Sequence, residues 1–183
     1  VAAGVSSRRR GSIIHSFFEQ WDFQSGPDAA IGSVLRAEAL EDAEARALRE
    51  DMARIAGRLQ ASPLGARFAR STELRREVPF ALRIDGILAR GTVDLLVDGN
   101  TIVDYKTGAP SEDELAEYET QLQLYGAAFH ELTGVERLEA FLVLLDRDDD
   151  FVREVDVSLP SLHRALARAR AALPALATQC AAG

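Results

Sequence analysis

The chain has 183 residues, 47% of them hydrophobic, and a formal net charge of −8. The size suits one domain over residues 1–183 with a substantial core, and the negative balance argues against a broad basic surface that grips nucleic acid unaided. No run approaches the roughly 20 apolar residues of a membrane span, and the single cysteine, Cys180, excludes an internal disulfide or a four-cysteine iron–sulfur cluster and fits a reducing, cytoplasmic setting.

Arg8-Arg9-Arg10 is one of the local basic groups that remain for nucleic acid, and it is followed by a mixed amphipathic segment, not the continuous apolar stretch of a signal peptide. The chain begins at Val1 and reads as a piece of a longer polypeptide. In the first segment, about 8–23, Ile14, Phe17, Phe18 and Trp21 recur at i, i+3, i+4 and i+7, the stripe of a buried helix face. Gly26-Pro27-Asp28 breaks it. Residues about 28–60 form one or two amphipathic helices, with Leu48, Met52, Ile55 and Leu59 on one face. Ser62-Pro63 opens a short helix that carries Leu64 and Phe68.

The pattern then becomes strand-like. Runs at about 73–84 and 87–97 flank Asp85-Gly86, and a third at about 101–107 follows the turn Asp98-Gly99-Asn100. Ser111 and Glu114 make a capping box for a helix over about 112–132, closed by Gly134. Strands at about 137–145 and 151–157 bracket the acidic turn Asp146–Asp150. Pro160 opens a last helix with Leu162, Leu166, Leu173 and Leu176 inward. The order predicts an α/β fold, a mixed sheet flanked by helices.

The chemistry concentrates in the second and third strands. Asp94 sits among Val, Leu and Ile, and Asp104-Tyr105-Lys106 closes the next strand. Residues two apart along a strand share a face, so Asp104 and Lys106 point the same way. A hairpin lets Asp94 reach the same end of the sheet. Two carboxylates bind a hard divalent cation through oxygen, and an ammonium stands beside them. That is equipment for hydrolysing a phosphodiester. The plainer alternative is a pair of ion pairs, for instance with Lys106 and Arg90. Carboxylates are depleted in strands and rarely buried without compensation, and a metal supplies it for both.

Lys106 is the only lysine in a chain that otherwise uses arginine, and a compact ammonium of adjustable pKa does different chemistry from guanidinium. It is equally readable as an exposed strand-end lysine. His15 lies one step off the apolar stripe. It is either a satisfied histidine at a core edge or a metal ligand, with Glu19 one turn on as an orienting group or a solvated one. Gln121 and Tyr125, at i and i+4, share a helix face. Tyr118 reads as packing, Glu77 as a strand-end or supporting residue, and His130 and His163 as structural or surface positions. The Asp146–Asp150 turn lacks the glycine and distal glutamate of an EF-hand and reads as solvated.

Together these residues resemble the PD-(D/E)xK nuclease superfamily, and within it the RecB-type nucleases. Arg10-Gly11 through His15 to Glu19 is similar to the family's N-terminal helix. Glu77-Val78-Pro79-Phe80 is similar to the strand before the first aspartate. Gln121 to Tyr125 is similar to the Gln-x-x-x-Tyr helix. The matches follow the family's order from about residue 10 to residue 129 and look most like the C-terminal nuclease domain of AddA-like helicase-nucleases. The resemblance implies a restriction-endonuclease-like core. It implies one or two Mg²⁺ or Mn²⁺ ions held by His15, Asp94, Asp104 and the backbone carbonyl of Tyr105. Asp94, Asp104 and Lys106 would be catalytic, and Gln121 and Tyr125 would contact the substrate strand. It further implies exonuclease-type cleavage of DNA at broken ends, with helicase domains in the same polypeptide and, for partner, a second helicase-nuclease subunit. The alternative is a non-catalytic DNA-binding or scaffolding domain that keeps the nuclease fold.

Overall fold

A computed structural model describes residues 4–85, 87–135 and 137–181, with side chains as far as residue 172 of the last helix. The expected turn residue Gly86 and the side chains of Leu173, Leu176 and Cys180 lie outside the described residues. The elements run α1 (Ser7–Gln20), α2 (Asp28–Ala37), α3 (Asp42–Ala61), α4 (Pro63–Phe68), β1 (Leu74–Ile84), β2 (Ile87–Val97), β3 (Thr101–Lys106), α5 (Glu112–Thr133), β4 (Glu139–Leu144), β5 (Val152–Val155) and α6 (Leu159–Ala181). The order read from the sequence holds, with the segment 28–60 resolved into two helices.

Local chemistry sets the boundaries. The Ser62 hydroxyl accepts from the Gly65 N–H, and Pro63 occupies the first turn of α4, where its missing N–H costs nothing. Ser111 and Glu114 cap α5 reciprocally, and Gly134 ends it in the left-handed conformation at φ 69°. Between β2 and β3 both Asp98 and Gly99 have positive φ, and the Asn100 N–H donates to the Val97 carbonyl. Asp and Gly tolerate this region best, which is why that dipeptide turns the chain here.

The sheet has the order β1-β2-β3-β4-β5. β2 and β3 are antiparallel, pairing Leu95 with Val103, Leu96 with Ile102 and Val97 with Thr101. β3 and β4 run in the same sense: Glu139 N–H donates to the Asn100 carbonyl, and Leu145 N–H, six residues on, to that of Lys106. The sheet is therefore mixed, and α5 is the crossover that a parallel neighbour requires.

The chain divides into two compact units. The first holds the described residues to Leu74 with Tyr105–Ala109 and Val143–Val152. Its core is aromatic: Phe17 stacks on Trp21 with centroids 5.3 Å apart, Phe23 packs on Phe68 at 5.0 Å, and Phe18 lies flat on Tyr105 at 4.0 Å. Leu48, Met52, Ile55 and Leu59 of α3 are fully buried, the face read from their spacing.

Two expectations fail in this unit. Arg10 is not a free basic group for nucleic acid; it is 7% exposed. Its Nε donates to Asp51 at 2.7 Å, and its two Nη atoms donate to the two oxygens of Asp146 at 2.8 and 2.6 Å. Nor is Asp146 part of a solvated acidic turn. It also accepts from the Gly108 N–H at 2.6 Å, whereas Asp148 and Asp149 are solvated. A guanidinium fork matches a carboxylate edge, and burial strengthens each bond.

The second unit holds Arg75–Asp104, Pro110–Leu142 and the described residues from Arg153 onward. Leu95, Leu96, Val97, Ile102 and Val103 are almost completely buried, as are Leu122 and Ala128 of α5. Gly126 of α5 lies where an added Cβ would come 3.1 Å from Leu138 and 3.2 Å from Leu162, so its lack of a side chain admits α6. Leu166 is only half-buried. Among the described residues, no helix is long and apolar enough to cross a membrane.

Burial by itself would raise the Asp146 pKa, but the bonds from Arg10 and the Gly108 N–H outweigh it and hold the carboxyl below its usual range. A depressed carboxyl stabilises the fold above the unfolded-state pKa and loses that contribution as pH falls through the folded one. Urea unfolding of the parent and Asp146→Asn should therefore differ by a constant amount at neutral pH. The difference should shrink below the ordinary carboxylate range, and a pH-independent gap would contradict the assignment.

Candidate active site

The two aspartates belong to one pair of strands in the second unit. One residue beyond the Leu95–Val103 pair along each antiparallel strand lie Asp94 and Asp104. The register sets them at one level and on one face. Asp104 is 3% exposed and Asp94 half-buried. Like charges directly across a ladder repel, and partial burial removes the water that would screen them.

Tyr125 senses both charges. Its phenol is buried, which raises its pKa, and the negative charges of Asp104 and then Asp94 raise it further, to about 12. The Gln121 amide donates to its hydroxyl. The structure thus brings together four residues singled out from sequence: Asp94, Asp104, Gln121 and Tyr125.

Phe80 and Gly91 hold Tyr125 in place, a role not read from the sequence. The Phe80 ring of β1 packs on the Tyr125 ring with centroids 4.6 Å apart. A Cβ on Gly91 of β2 would come 2.5 Å from Phe80 and 3.4 Å from Tyr125. Only a bare backbone leaves room for the two rings. The available signal was a glycine inside a strand, a common mark of close approach. Glu77 is exposed and has φ 49°, a left-handed break within β1 and not at its end.

From Gln121 and Tyr125 an open groove of about 1080 Å³ continues within this unit. Its apolar floor includes Leu82, Ile84 and Val155, and Arg90, Arg164 and Arg168 stand along it with Glu117, Glu119 and Glu154.

The remaining site residues lie in the first unit. His15 is half-buried on α1, its ring edge-on to that of Tyr105 at 6.4 Å. Tyr105 is buried, and the next residue, Lys106, is half-buried at the end of β3. One peptide bond joins Asp104 of the second unit to Tyr105 of the first. Glu19 and His163 are exposed, and His130 bonds the Val135 carbonyl through Nδ1 at 2.8 Å, a structural role.

Among the described residues, no three His, Cys, Asp or Glu side chains form a ready-made metal cage. The pair Asp94–Asp104 nevertheless fits a divalent ion by its chemistry. Two hard carboxylate oxygen donors face each other across a ladder, one is buried, and a cation would relieve their repulsion.

The profile of the PD-(D/E)XK nuclease superfamily matches residues 2–183, essentially the whole chain. The chain belongs to this superfamily. The ATP-dependent helicase/nuclease subunit (AddA) of Carboxydothermus hydrogenoformans is 35% identical over 164 residues, covering 76% of this chain and 14% of that protein. The protein of the same name from Acetivibrio thermocellus is 30% identical over 165 residues, covering 77% and 13%. The chain therefore spans about one-seventh of the length of these curated relatives. A solved structure of a candidate exonuclease from Eubacterium rectale aligns with TM-score 0.62 at 19% identity, over 92% of this chain and 65% of that one. That likeness concerns the fold, and it agrees with the helix-flanked five-stranded mixed sheet of a restriction-endonuclease-like nuclease.

In this member of the nuclease superfamily Gly91→Ala should displace Phe80 and pull the Tyr125 hydroxyl off Gln121. The overpacking should cost about 1–3 kcal/mol in denaturant unfolding. Truncating the ring in Gly91→Ala/Phe80→Ala should restore room, so the double variant should be more stable than the sum of the singles implies. Additive costs would show that the Gly91–Phe80 contact is not the constraint.

Proposed function

We propose that the chain hydrolyses DNA phosphodiester bonds in a metal-dependent, exonuclease-type reaction. We further propose that it does so as the nuclease domain of a longer helicase-nuclease that processes double-strand breaks in the cytoplasm. The observation that carries this reading is the register that sets Asp94 opposite Asp104, with Tyr105 and Lys106 following in the chain of a nuclease-superfamily member. The relatives, named as ATP-dependent helicase/nuclease proteins, support the larger setting, with helicase domains in the same polypeptide and a second helicase-nuclease chain as partner.

Asp94, Asp104 and His15, with the backbone carbonyl of Tyr105, would hold one or two Mg²⁺ or Mn²⁺ ions. Such an ion would supply polarisation of the scissile phosphate and a lowered pKa for the attacking water. Asp94 and Asp104 would supply the charge that retains it, and their mutual repulsion would favour its binding. The Lys106 ammonium orients the water and offsets charge that builds on the phosphoryl oxygens. Gln121 fixes the Tyr125 hydroxyl, which stays protonated at neutral pH because its pKa lies near 12, and the two position the substrate strand as donors.

Lys106→Ala should lower cleavage of end-labelled DNA by about 10²–10³ while leaving Mn²⁺ binding intact. Asp104→Ala should instead weaken Mn²⁺ binding itself, read by calorimetry. Cleavage at the parent rate by Lys106→Ala overturns the mechanism. No cleavage by the parent with either ion, even when joined to helicase domains, favours the non-catalytic scaffold.

The isolated chain should also bind DNA weakly, and more weakly as salt rises. The net charge is −8, and several arginines already face carboxylates: Arg9 faces Glu38, Arg153 faces Glu119 and Arg170 faces Asp85. Few phosphate contacts then remain to release counterions. Tight binding that is insensitive to salt would point to an autonomous nuclease.

A further inference from the structure

Lys106 ends β3, and the chain beyond it, Thr107-Gly108-Ala109, has no regular structure. A lysine at such a point would ordinarily sample many positions, because the backbone beneath its stem frays with the strand end. Three contacts within the first unit oppose this. The Lys106 carbonyl accepts from the Leu145 N–H at 2.9 Å, and the Gly108 N–H donates to Asp146 Oδ2 at 2.6 Å. Two adjacent residues after β4 therefore hold the segment on both sides of Thr107. The third contact comes from α1, where Gly11 presents bare backbone to Thr107. A Cβ there would lie 3.0 Å from Thr107 Oγ1.

Arg10 fastens this arrangement. Its guanidinium forks onto both oxygens of Asp146 while its Nε holds Asp51 of α3 at 2.7 Å. Burial disfavours the Arg10 charge, yet the bonds to Asp146 and Asp51 raise its pKa, so it stays charged. Asp146, shared between Arg10 and the Gly108 amide, thereby becomes a rigid acceptor. Sequence position explains the economy of the device. Arg10 and Gly11 sit about one helical turn before His15, so one helix carries the fastening residue, the close approach and the histidine.

We propose that Arg10 and Asp146 are positioning residues that immobilise the Lys106–Gly108 segment and so set the placement of the Lys106 ammonium. Their effect on cleavage rests on the nuclease reading above; their effect on Lys106 does not.

Because Lys106 is the only lysine, protein grown with ¹³C,¹⁵N-lysine gives the signals of that residue alone. Asp146→Ala and the milder Arg10→Gln should shift and broaden them and speed hydrogen exchange at the Gly108 amide. Arg9→Ala, which removes the neighbouring exposed pair with Glu38, should leave both unchanged. In the cleavage assay the two clamp variants should lower kcat on the order of ten- to a hundredfold, with little change in KM, since they misplace a group without removing a substrate contact. Unchanged Lys106 signals and Gly108 exchange in a folded Arg10→Gln protein overturn the clamp. So does a parent-like kcat accompanied by altered Lys106 signals, which would show that the placement does not matter to the reaction. An inactive parent with the expected spectral changes overturns the nuclease reading and leaves the clamp standing.

Discussion

Two negative charges set at one level of an antiparallel ladder are a constraint that a fold must answer. Asp94 and Asp104 arrive there because β2 and β3 are joined through the left-handed residues Asp98 and Gly99, which fix the register. A slip of one residue would turn Asp104 away from Asp94 and exchange the two faces of β3, both of them buried, so the packing on the two faces also enforces the carboxylate pair. The surroundings are arranged around that pair. Tyr125 presents a hydroxyl that stays protonated, Gln121 orients it, and Phe80 and Gly91 fix the ring that carries it. Removing any of these would leave two carboxylates facing each other with less to define the space between them and the next ligand.

The Asp-Tyr-Lys segment has a divided allegiance. Asp104 belongs to the unit built on the β1–β3 strands and α5, while Tyr105 and Lys106 belong to the unit built on the N-terminal helices. The side of the segment after Asp104 is held by a different kind of force from the side before it. Before it, apolar strand pairing dominates. After it, a flat aromatic contact from Phe18 to Tyr105 and the ionic knot of Arg10, Asp51 and Asp146 take over. A buried ionic knot costs desolvation and adds less net stability than its short distances suggest. What it adds is direction, because a forked guanidinium accepts only a narrow range of carboxylate orientations.

The charge of the chain takes on a different meaning once the pairs are seen. Several of the arginines scattered along the sequence pair with acidic residues of the same unit, Arg9 with Glu38, Arg153 with Glu119 and Arg170 with Asp85. Asp148 and Asp149 pair with Arg58 and Arg147 yet stay mostly exposed. The net charge of −8 sits on a chain that spans about one-seventh of the length of the curated relatives it matches.

Most of the architecture was legible in the residues, because helix periodicity, capping pairs and Asp-Gly turns are local signals. The buried face of α3, the capping box at Ser111 and Glu114, and the turn at Asp98-Gly99 needed only a few neighbouring residues to be read. The motif aspartates were legible for a similar reason: a carboxylate in an apolar strand conflicts with its setting and stands out. Arg10 and Asp146 were misread, since they are 136 residues apart and each looks like ordinary surface charge in its own stretch. The one local hint was that Arg10 continues the stripe of Ile14, Phe17 and Trp21, but a charged residue on a buried face has meaning only once its partners are known. The role of Gly91 and Phe80 was missed likewise, because a close approach between a strand backbone and two rings exists only after β1, β2 and α5 have packed. The linear order of residues was enough to read which elements form and to single out candidate side chains for chemistry. Which charges are buried together was settled only in three dimensions, because the partners of a buried charge are chosen by packing across the chain and not by its neighbours along it.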